Sequence, residues 1–256
     1  MFSVQKHLED YAKVGYTVVD NVLDADDLDV INRVVDDDLS KKGPFWMERE
    51  NANVVLNVHM LLAYKELDVT MHNRKIMPII ESILGPEICA EEHSVRIRRA
   101  FDGDPYCNWH RDGHGWPQLK SFSPYFTNYV SVAYYLSDVN DTTHSFSVLP
   151  GSVQDGDLCD LGEYDQRDAH HIVGEKGTAI IFNAALFHAG NVRKTDTERR
   201  TIHTYWGRSS SPPISNYTIF PERLWGSKDM QTQGYYCRPN PITKLLRESF
   251  YDEAGG

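Results

Sequence analysis

The 256-residue chain is long enough to bury one sizeable core, and its 41% hydrophobic and 25% charged residues are typical of a globular protein. Its net charge of -11 argues against nucleic acid or an anionic membrane as a partner, because both favour a basic protein surface. The N-terminal residues lack an apolar signal core, no stretch reaches the roughly 20 apolar residues of a membrane span, and the four cysteines show no paired spacing, so the sequence predicts a cytoplasmic protein.

Helical signals dominate the first part of the chain. Asp24 is a suitable N-cap, because its short acidic side chain can accept hydrogen bonds from the first backbone amides of a helix. Apolar residues then recur at helical spacing on one face, at Leu28, Ile31, Val35 and Leu39. Acidic residues on the opposite face predict a solvent-exposed surface. A second helix is predicted from near Arg74 to Leu84, where Gly85 and Pro86 end it.

After residue 90 the pattern changes to short β-rich runs that are separated by turns. The runs cover residues 94–98, 129–136, 146–149, 178–182 and 201–206. Turn signals that contain glycine or proline lie between them, at 102–105, 150–151 and 176–177. Many short strands spaced in this way predict a sandwich or barrel.

A closing helix is predicted from Pro241, because proline is favoured in the first turn of a helix. The whole pattern predicts a single domain, residues 1–256, in which helices pack against one β-barrel. Its helical N-terminal part covers about residues 1–90, its β core about 91–210 and its C-terminal extension about 211–256.

The run from Asn108 to Asp112 contains a His-x-Asp pair, His110 and Asp112. On a strand, residues i and i+2 point to the same face about 6.5–7 Å apart, so both side chains can bind one ion. On a helix the two would diverge by about 200°. The surrounding glycines and prolines disfavour a helix, which also weakens His114 as an alternative partner at i+4. An isolated His-x-Asp is more often a surface coincidence, so the pair needs further support.

That support comes from His188, which follows the apolar run 178–182, and from an arginine pair after it. Two histidines and one carboxylate form the usual protein half of a mononuclear iron(II) site, which leaves positions open for a co-substrate and O₂. Arg199 can bind the far carboxylate of a dicarboxylate such as 2-oxoglutarate through paired, charge-assisted hydrogen bonds. A strand would place Arg199, Thr201 and His203 on one face. Physical reasoning alone leaves Arg200 open as the alternative.

Two further segments extend the pattern beyond the metal motif. Residues 11–23 read as a helix that runs into a Gly-aromatic strand, and Leu136-Ser137-Asp138-Val139 is followed by Val148-Leu149-Pro150-Gly151-Ser152. With the metal motif, these segments resemble the phytanoyl-CoA dioxygenase-like family of iron(II)/2-oxoglutarate oxygenases over roughly residues 11 to 206. The resemblance implies a double-stranded β-helix, or jelly roll, that is mainly β with flanking helices. It also implies an iron site and a co-substrate site, with His110, Asp112 and His188 as iron ligands and Arg199, favoured over Arg200, for the 2-oxoglutarate carboxylate.

The chain departs from the family's pattern at three positions. His144 stands where a glycine is usual before the Pro-Gly-Ser turn, Val153 follows that turn where histidine is common, and Gly190 stands where many members have a hydroxyl residue near the co-substrate. Arg96 lies near a position from which members often point a polar residue toward the co-substrate or substrate, and it is equally consistent with an exposed strand arginine. Related halogenases lack the carboxylate ligand, so the retained Asp112 favours hydroxylation or a related oxidation.

The predicted reaction oxidises a C–H bond of a small molecule or natural product and converts 2-oxoglutarate and O₂ to succinate and CO₂. The acidic composition disfavours a CoA thioester. Residues 113–125 are either a lid or an ordinary connection, and four aromatic residues belong either to the substrate pocket or to the core: Tyr134, Tyr135, Trp206 and Trp225. A barrel that performs hydrolysis or isomerisation without O₂ and a catalytically silent binding module remain alternatives. The sequence leaves the substrate and the oligomeric state open.

Overall fold

Two antiparallel β-sheets form the centre of the structure, a computed structural model that describes residues 2–49, 53–112, 127–153, 161–215 and 217–250. The strands are β1 (Tyr16–Val19), β2 (Met47–Arg49), β3 (Val54–Asn57), β4 (Ile88–Arg98), β5 (Tyr106–Cys107), β6 (Tyr129–Tyr135), β7 (Ser145–Val148), β8 (His170–Ile172), β9 (Ala179–Asn183), β10 (His188–Val192) and β11 (Arg199–Arg208). The helices are α1 (Val4–Val14), α2 (Ala25–Ser40), α3 (Met60–Ala63), α4 (Asp68–Met71), α5 (Met77–Leu84), α6 (Glu222–Trp225), α7 (Met230–Tyr235) and α8 (Pro241–Phe250).

The larger sheet has the strand order β1-β9-β6-β11-β4-β3-β2, and the smaller sheet has the order β5-β10-β7-β8. The two sheets pack face to face with apolar side chains between them. Phe146 of β7 contacts Phe182 of β9, with ring centroids 4.8 Å apart. This arrangement of two facing antiparallel sheets is the double-stranded β-helix, so the expected fold class is confirmed.

The outer face of the larger sheet is covered by helices, which makes its central strands buried on both sides. In β6, Val130, Val132 and Tyr134 pack into the cluster formed with α1, α2 and α5. Ala133 and Tyr135 of the same strand point to the cluster between the sheets. Because successive side chains of a strand alternate between faces, the continuous apolar run of β6 serves both clusters.

The two helices predicted in the N-terminal part are present. The Asp24 side chain accepts a hydrogen bond from the Asp27 backbone N–H at 2.9 Å, and the Asp27 side chain accepts one from the Asp24 backbone N–H, so α2 begins with a capping box. Helix α5 begins at Met77, later than the predicted start near Arg74, because Pro78 is tolerated only in a first turn. It ends at Gly85, which has a positive φ of 89°.

The predicted strand 94–98 is the C-terminal part of the longer strand β4, and the predicted strand 201–206 is the inner part of β11. The N-terminal 90 residues are not only helical, since β1, β2 and β3 extend the larger sheet. Strands β2, β3, β5, β8 and β10 escaped prediction because runs of two to five residues show too little alternation. The division into one domain with boundaries near residues 90 and 210 stays a prediction.

The four aromatic residues that the sequence assigned either to the substrate pocket or to the core belong to the core. Tyr134, Tyr135 and Trp206 are fully buried, and Trp225 packs against the cluster under the helices. Among the described helices, none has the length and apolar character of a membrane span.

His93 on β4 provides a prediction about acid stability. Its ring is fully buried, and its Nε2 lies 3.2 Å from the Thr70 hydroxyl oxygen. Burial, and then the charge of Arg223, lower the pKa of His93 to about 3. A lowered pKa in the folded state means that the unfolded chain binds more protons between about pH 6.5 and pH 3, so this contribution to stability is lost as the pH falls through that window.

We therefore expect the free energy of unfolding to fall by about 2 kcal/mol more in the wild type than in His93→Gln when the pH is lowered from 7 to 5. Urea unfolding at the two pH values measures the difference, with His170→Gln as a control at an exposed histidine. Equal pH dependence of the wild type and His93→Gln contradicts the expectation.

Candidate metal centre and its cavity

Three predicted ligands, His110, Asp112 and His188, lie together at one end of the space between the sheets. One ligand atom from each falls within 4.8 Å of the others. The Nε2 of His188 is 3.4 Å from Asp112 Oδ2, and the Nε2 of His110 is 3.7 Å from Asp112 Oδ1. The predicted convergence of these side chains is therefore seen in the fold.

The backbone positions the two histidines through a pair of reciprocal hydrogen bonds. The N–H of His110 donates to the carbonyl of His188 at 3.0 Å, and the N–H of His188 donates back at the same distance. His110 occupies this isolated bridge, and Asp112 lies in a turn where its N–H donates to the carbonyl of Ala184. The prediction that both residues share one strand was wrong in this detail, because pairing with β10 stops after His110 and the chain turns toward the β9–β10 connection.

The other ring nitrogen of each histidine is held by the backbone. His110 Nδ1 lies 2.8 Å from the carbonyl oxygen of Asn108, and His188 Nδ1 lies 2.9 Å from that of Leu186. A carbonyl oxygen only accepts, so each Nδ1 carries a proton and Nε2 is the ring nitrogen that faces the centre. A histidine that binds a metal through Nε2 needs this arrangement.

The carboxylate of Asp112 is kept charged and oriented. The hydroxyl of Tyr205 on β11 donates to Asp112 Oδ2 at 2.7 Å. Burial alone raises the pKa of Asp112, but the His188 ring, then His110 and the Tyr205 hydroxyl, hold it well below its usual range. Partial burial of its ring, and then His188, lower the pKa of His110 to about 4. At neutral pH the carboxylate is therefore anionic and the His110 ring neutral, the states in which they bind a metal.

The three ligand residues line one side of a cavity of about 380 Å³. Strands β4 and β11 supply one wall, and their pairing places Arg98 opposite Arg199, Arg96 opposite Thr201, Ser94 opposite His203 and Glu92 opposite Tyr205. Apolar and polar residues of β2, β3 and the segment after β11 supply another wall: Met47, Arg49, Val54, Leu56, Ile214, Ser215 and Tyr217. The face predicted for Arg199, Thr201 and His203 is the one that lines the cavity.

The structure separates the two candidate arginines. Arg199 is buried and lines the cavity, and its Nε and Nη1 have no hydrogen-bond partner among the described residues. Arg200 points to the other face of β11, where it pairs with Asp36 at 2.7 Å and Glu198 at 2.6 Å. Arg199 is therefore the arginine that can meet an anion in the cavity.

Arg96 also lines the cavity and is not a simple exposed strand residue. Its Nη2 lies 3.4 Å from the carboxylate of Glu92, and its Nε donates to the Ser94 hydroxyl at 3.0 Å.

Of the positions that depart from the family's pattern, His144 is a structural residue, because its Nε2 contacts the Arg99 carbonyl and its Nδ1 accepts from the Arg193 N–H. Val153 is buried between the sheets.

Sequence reasoning missed three polar cavity residues: Tyr205, Arg98 and Glu92. Tyr205 continues the every-second-residue pattern of Arg199, Thr201 and His203, so extending that pattern by one step would have found it. The predicted lid at residues 113–125 and the alternative ligand His114 lie outside the described residues.

The donor set fits a mononuclear iron(II) ion. Two imidazole nitrogens and one carboxylate oxygen approach from one side, and the other side opens into the cavity. This is the arrangement of non-haem iron oxygenases, in which the open positions receive a co-substrate and O₂.

Comparisons with known proteins agree with this arrangement. The family model described as phytanoyl-CoA dioxygenase (PhyH) matches residues 11–201. An L-proline trans-4-hydroxylase from Streptomyces griseoviridis is 18% identical over 222 residues, which cover 75% of this chain and 81% of that enzyme.

Two solved structures share the fold. HygX from Streptomyces hygroscopicus, with nickel and 2-oxoglutarate bound, superposes with a TM-score of 0.66 at 14% identity and covers 82% of this chain and 88% of its own. The non-haem α-ketoglutarate-dependent epimerase SnoN from nogalamycin biosynthesis superposes with a TM-score of 0.65 at 15% identity, over 80% of this chain and 81% of its own.

Proposed function

Because this chain belongs to the phytanoyl-CoA dioxygenase family, we propose that it hydroxylates a C–H bond of a small polar molecule. The chain is a dioxygenase of the hydroxylase type, and its cofactors are iron(II), 2-oxoglutarate and O₂. The overall reaction takes R–H, O₂ and 2-oxoglutarate to R–OH, succinate and CO₂, so one oxygen atom enters the product and the other enters succinate. The observation that carries the proposal is the ligand triad that opens into a cavity containing Arg199.

Each residue of the site has a role in this reaction. His110, Asp112 and His188 hold iron(II) from one side, and the Tyr205 hydroxyl fixes the orientation of the Asp112 carboxylate. Bound iron(II) with 2-oxoglutarate supplies the activation of O₂. Arg199 binds the far carboxylate of 2-oxoglutarate and thereby orients the keto acid toward the metal. Asp112 fills the ligand position that halogenases leave to a halide, which supports hydroxylation or a related oxidation.

Aerobic incubation of the purified protein with iron(II), ascorbate, 2-oxoglutarate and a metabolite extract tests the proposal. We expect succinate to form, together with a product that has gained one oxygen atom or lost two hydrogens, and we expect both to disappear with a metal chelator. Absence of 2-oxoglutarate turnover would favour a hydrolase or isomerase built on the same barrel. Ligand binding that is unaffected by the chelator, without turnover, would favour a silent binding module.

The charges in the outer cavity favour a substrate with both a cationic and an anionic group. Glu92 stands opposite Tyr205 across the β4–β11 pairing, and Arg96 lies four residues further along the same face of β4. Glu92 can accept hydrogen bonds from an ammonium group, and the Arg96 guanidinium can donate to a carboxylate. Val54, Leu56 and Met47 offer apolar contact for the carbon skeleton.

An amino-acid-like zwitterion has this combination of groups. The name of the Streptomyces griseoviridis relative gives L-proline as its substrate. We propose a free amino acid or a compound of similar size and charge as the substrate, with Arg96 as a substrate-binding residue.

Conservative changes at the two charged residues test this substrate class. Glu92→Gln and Arg96→Gln are each expected to raise the KM for the substrate about 10-fold or more, since each loses a charge-assisted hydrogen bond, while the KM for 2-oxoglutarate changes less than about twofold. Steady-state kinetics with the identified substrate measure both values. Glu48→Gln removes an exposed carboxylate from neighbouring β2 and serves as the control. A neutral, apolar substrate in the extract experiment, or unchanged KM values, contradicts the assignment.

A further inference from the structure

Arg98 of β4 stands directly opposite Arg199 of β11, so the cavity contains two adjacent guanidinium groups. Both residues are almost fully buried, with exposed fractions of 7% and 6%. Burial, followed by the charge of Arg199, lowers the pKa of Arg98 to about 9. Two like charges held together away from water are costly, and an anion that binds between them relieves the cost.

The position of Arg98 depends on a glycine in the opposite sheet. Gly190 lies on β10, two residues after His188, and a Cβ added there would lie 2.8 Å from Arg98 Cζ and closer still to Nη2. Gly190 is not among the described glycines with positive φ, so its backbone conformation is open to other residues. The missing side chain therefore provides space, and the Arg98 guanidinium occupies that space.

We propose that Arg98, admitted by Gly190, binds the far carboxylate of 2-oxoglutarate together with Arg199. This inference rests on the proposed function and deepens its co-substrate site. A carboxylate offers about four lone-pair positions on two oxygens, enough to accept hydrogen bonds from two guanidinium groups. Gly190 has no side chain of its own at this point, so the Arg98 guanidinium, which reaches across from the other sheet, supplies both the volume and the hydrogen-bond donors there.

The proposal makes the site selective for a keto acid that carries a second carboxylate. 2-Oxovalerate has the same five-carbon chain and the same keto-acid group as 2-oxoglutarate, but it lacks the far carboxylate. Both compounds can chelate a metal, so the difference between their affinities reports on the contacts made to the far carboxylate, and the change in that difference in Arg98→Ala reports on Arg98. Mn(II) in place of iron(II) allows this difference to be measured without turnover.

Calorimetric titration of Mn(II)-loaded protein with the two keto acids is the test. We expect Arg98→Ala to weaken 2-oxoglutarate binding by about 10- to 100-fold, the range of charge-assisted hydrogen bonds, and to leave 2-oxovalerate binding within about twofold. Arg99→Ala is the matched control, because it removes the neighbouring guanidinium, which is exposed and pairs with Glu48 on the other face. Mn(II) affinity without keto acid should be the same in all variants.

A double-mutant cycle tests the pairing of Arg98 with Gly190. Gly190→Ser alone should displace the guanidinium and weaken 2-oxoglutarate binding by a similar factor. In the Arg98→Ala background the same serine has room, so its added cost should be less than about twofold, and its hydroxyl can recover part of the affinity. Near-equal losses in both backgrounds would show that the two residues act independently, which overturns the pairing.

The outcomes distinguish failure of the two-arginine site from failure of the proposed function. If the wild type binds 2-oxoglutarate and Arg98→Ala binds it equally well, the two-arginine site is wrong while the proposed function stands. If the wild type with Mn(II) fails to bind 2-oxoglutarate, both are overturned. Circular dichroism and thermal unfolding of each variant identify any loss that comes from misfolding.

Discussion

Asp112→Ala is expected to lower the rate of substrate oxidation by more than about 100-fold. Mutation of a residue that only hydrogen-bonds to a metal ligand typically costs roughly 10- to 100-fold in metal affinity or activity, so loss of the ligand itself should cost more. Asp112 is the only carboxylate of the triad, and the Tyr205 hydroxyl donates a hydrogen bond that orients it. Its removal leaves two imidazole ligands, which bind a divalent metal weakly without the carboxylate, so both metal content and succinate formation should fall. Metal analysis after gel filtration and a succinate assay measure the two effects.

A graded series separates loss of the ligand from loss of its support. Tyr205→Phe keeps the aromatic ring and removes only the hydrogen bond to Asp112, so we expect a smaller loss, about 10- to 100-fold in metal affinity or activity. Asp141→Ala removes an exposed acidic residue and should behave as the wild type. If Asp112→Ala retains bound metal and full activity, the ligand assignment is wrong.

Arg199→Ala is expected to raise the KM for 2-oxoglutarate by about 10- to 100-fold, because a buried charge-assisted pair with the far carboxylate is lost. Its neighbour provides a matched control. Arg200 pairs with Asp36 and Glu198 on the opposite face of β11, so Arg200→Ala should lower stability and leave the KM for 2-oxoglutarate unchanged.

Kinetics at varied 2-oxoglutarate concentration measure this contrast. The KM for substrate should change much less than the KM for 2-oxoglutarate in Arg199→Ala, which distinguishes a co-substrate contact from general damage to the site. An unchanged KM in Arg199→Ala together with a raised KM in Arg200→Ala would reverse the assignment.

Local patterns in the sequence were sufficient to select the three side chains that converge in the fold and one arginine that lines the cavity beside them. His110 and Asp112 are only two residues apart, so one short segment brings both to the site even though Asp112 lies in a turn, and His188 follows the apolar run 178–182. The choice between Arg199 and Arg200 needed only the alternation of one strand, once the buried face was known. The resemblance to a known family favoured the same arginine and provided the fold.

Features that depend on pairing between distant strands could not be predicted from the sequence. Glu92 and Arg98 face the cavity because β4 pairs with β11 in a particular register, across about a hundred residues of chain. The contact between Arg98 and Gly190 joins the two sheets, so neither residue alone indicates it. Strand β10 carries the sequence His188-Ala-Gly-Asn-Val192, whose mixed character gives no alternation, and only its pairing with β7 and β5 makes it a strand.

The most direct test of the site as a whole is the dependence of 2-oxoglutarate binding on metal. Calorimetric titration with 2-oxoglutarate, with and without Mn(II), compares the wild type with His188→Ala. We expect one Mn(II) per chain, with 2-oxoglutarate affinity in the wild type raised at least about 100-fold by the metal, and no such gain in His188→Ala. Equal affinity with and without Mn(II), or an undiminished gain in His188→Ala, would contradict a metal centre built from His110, Asp112 and His188.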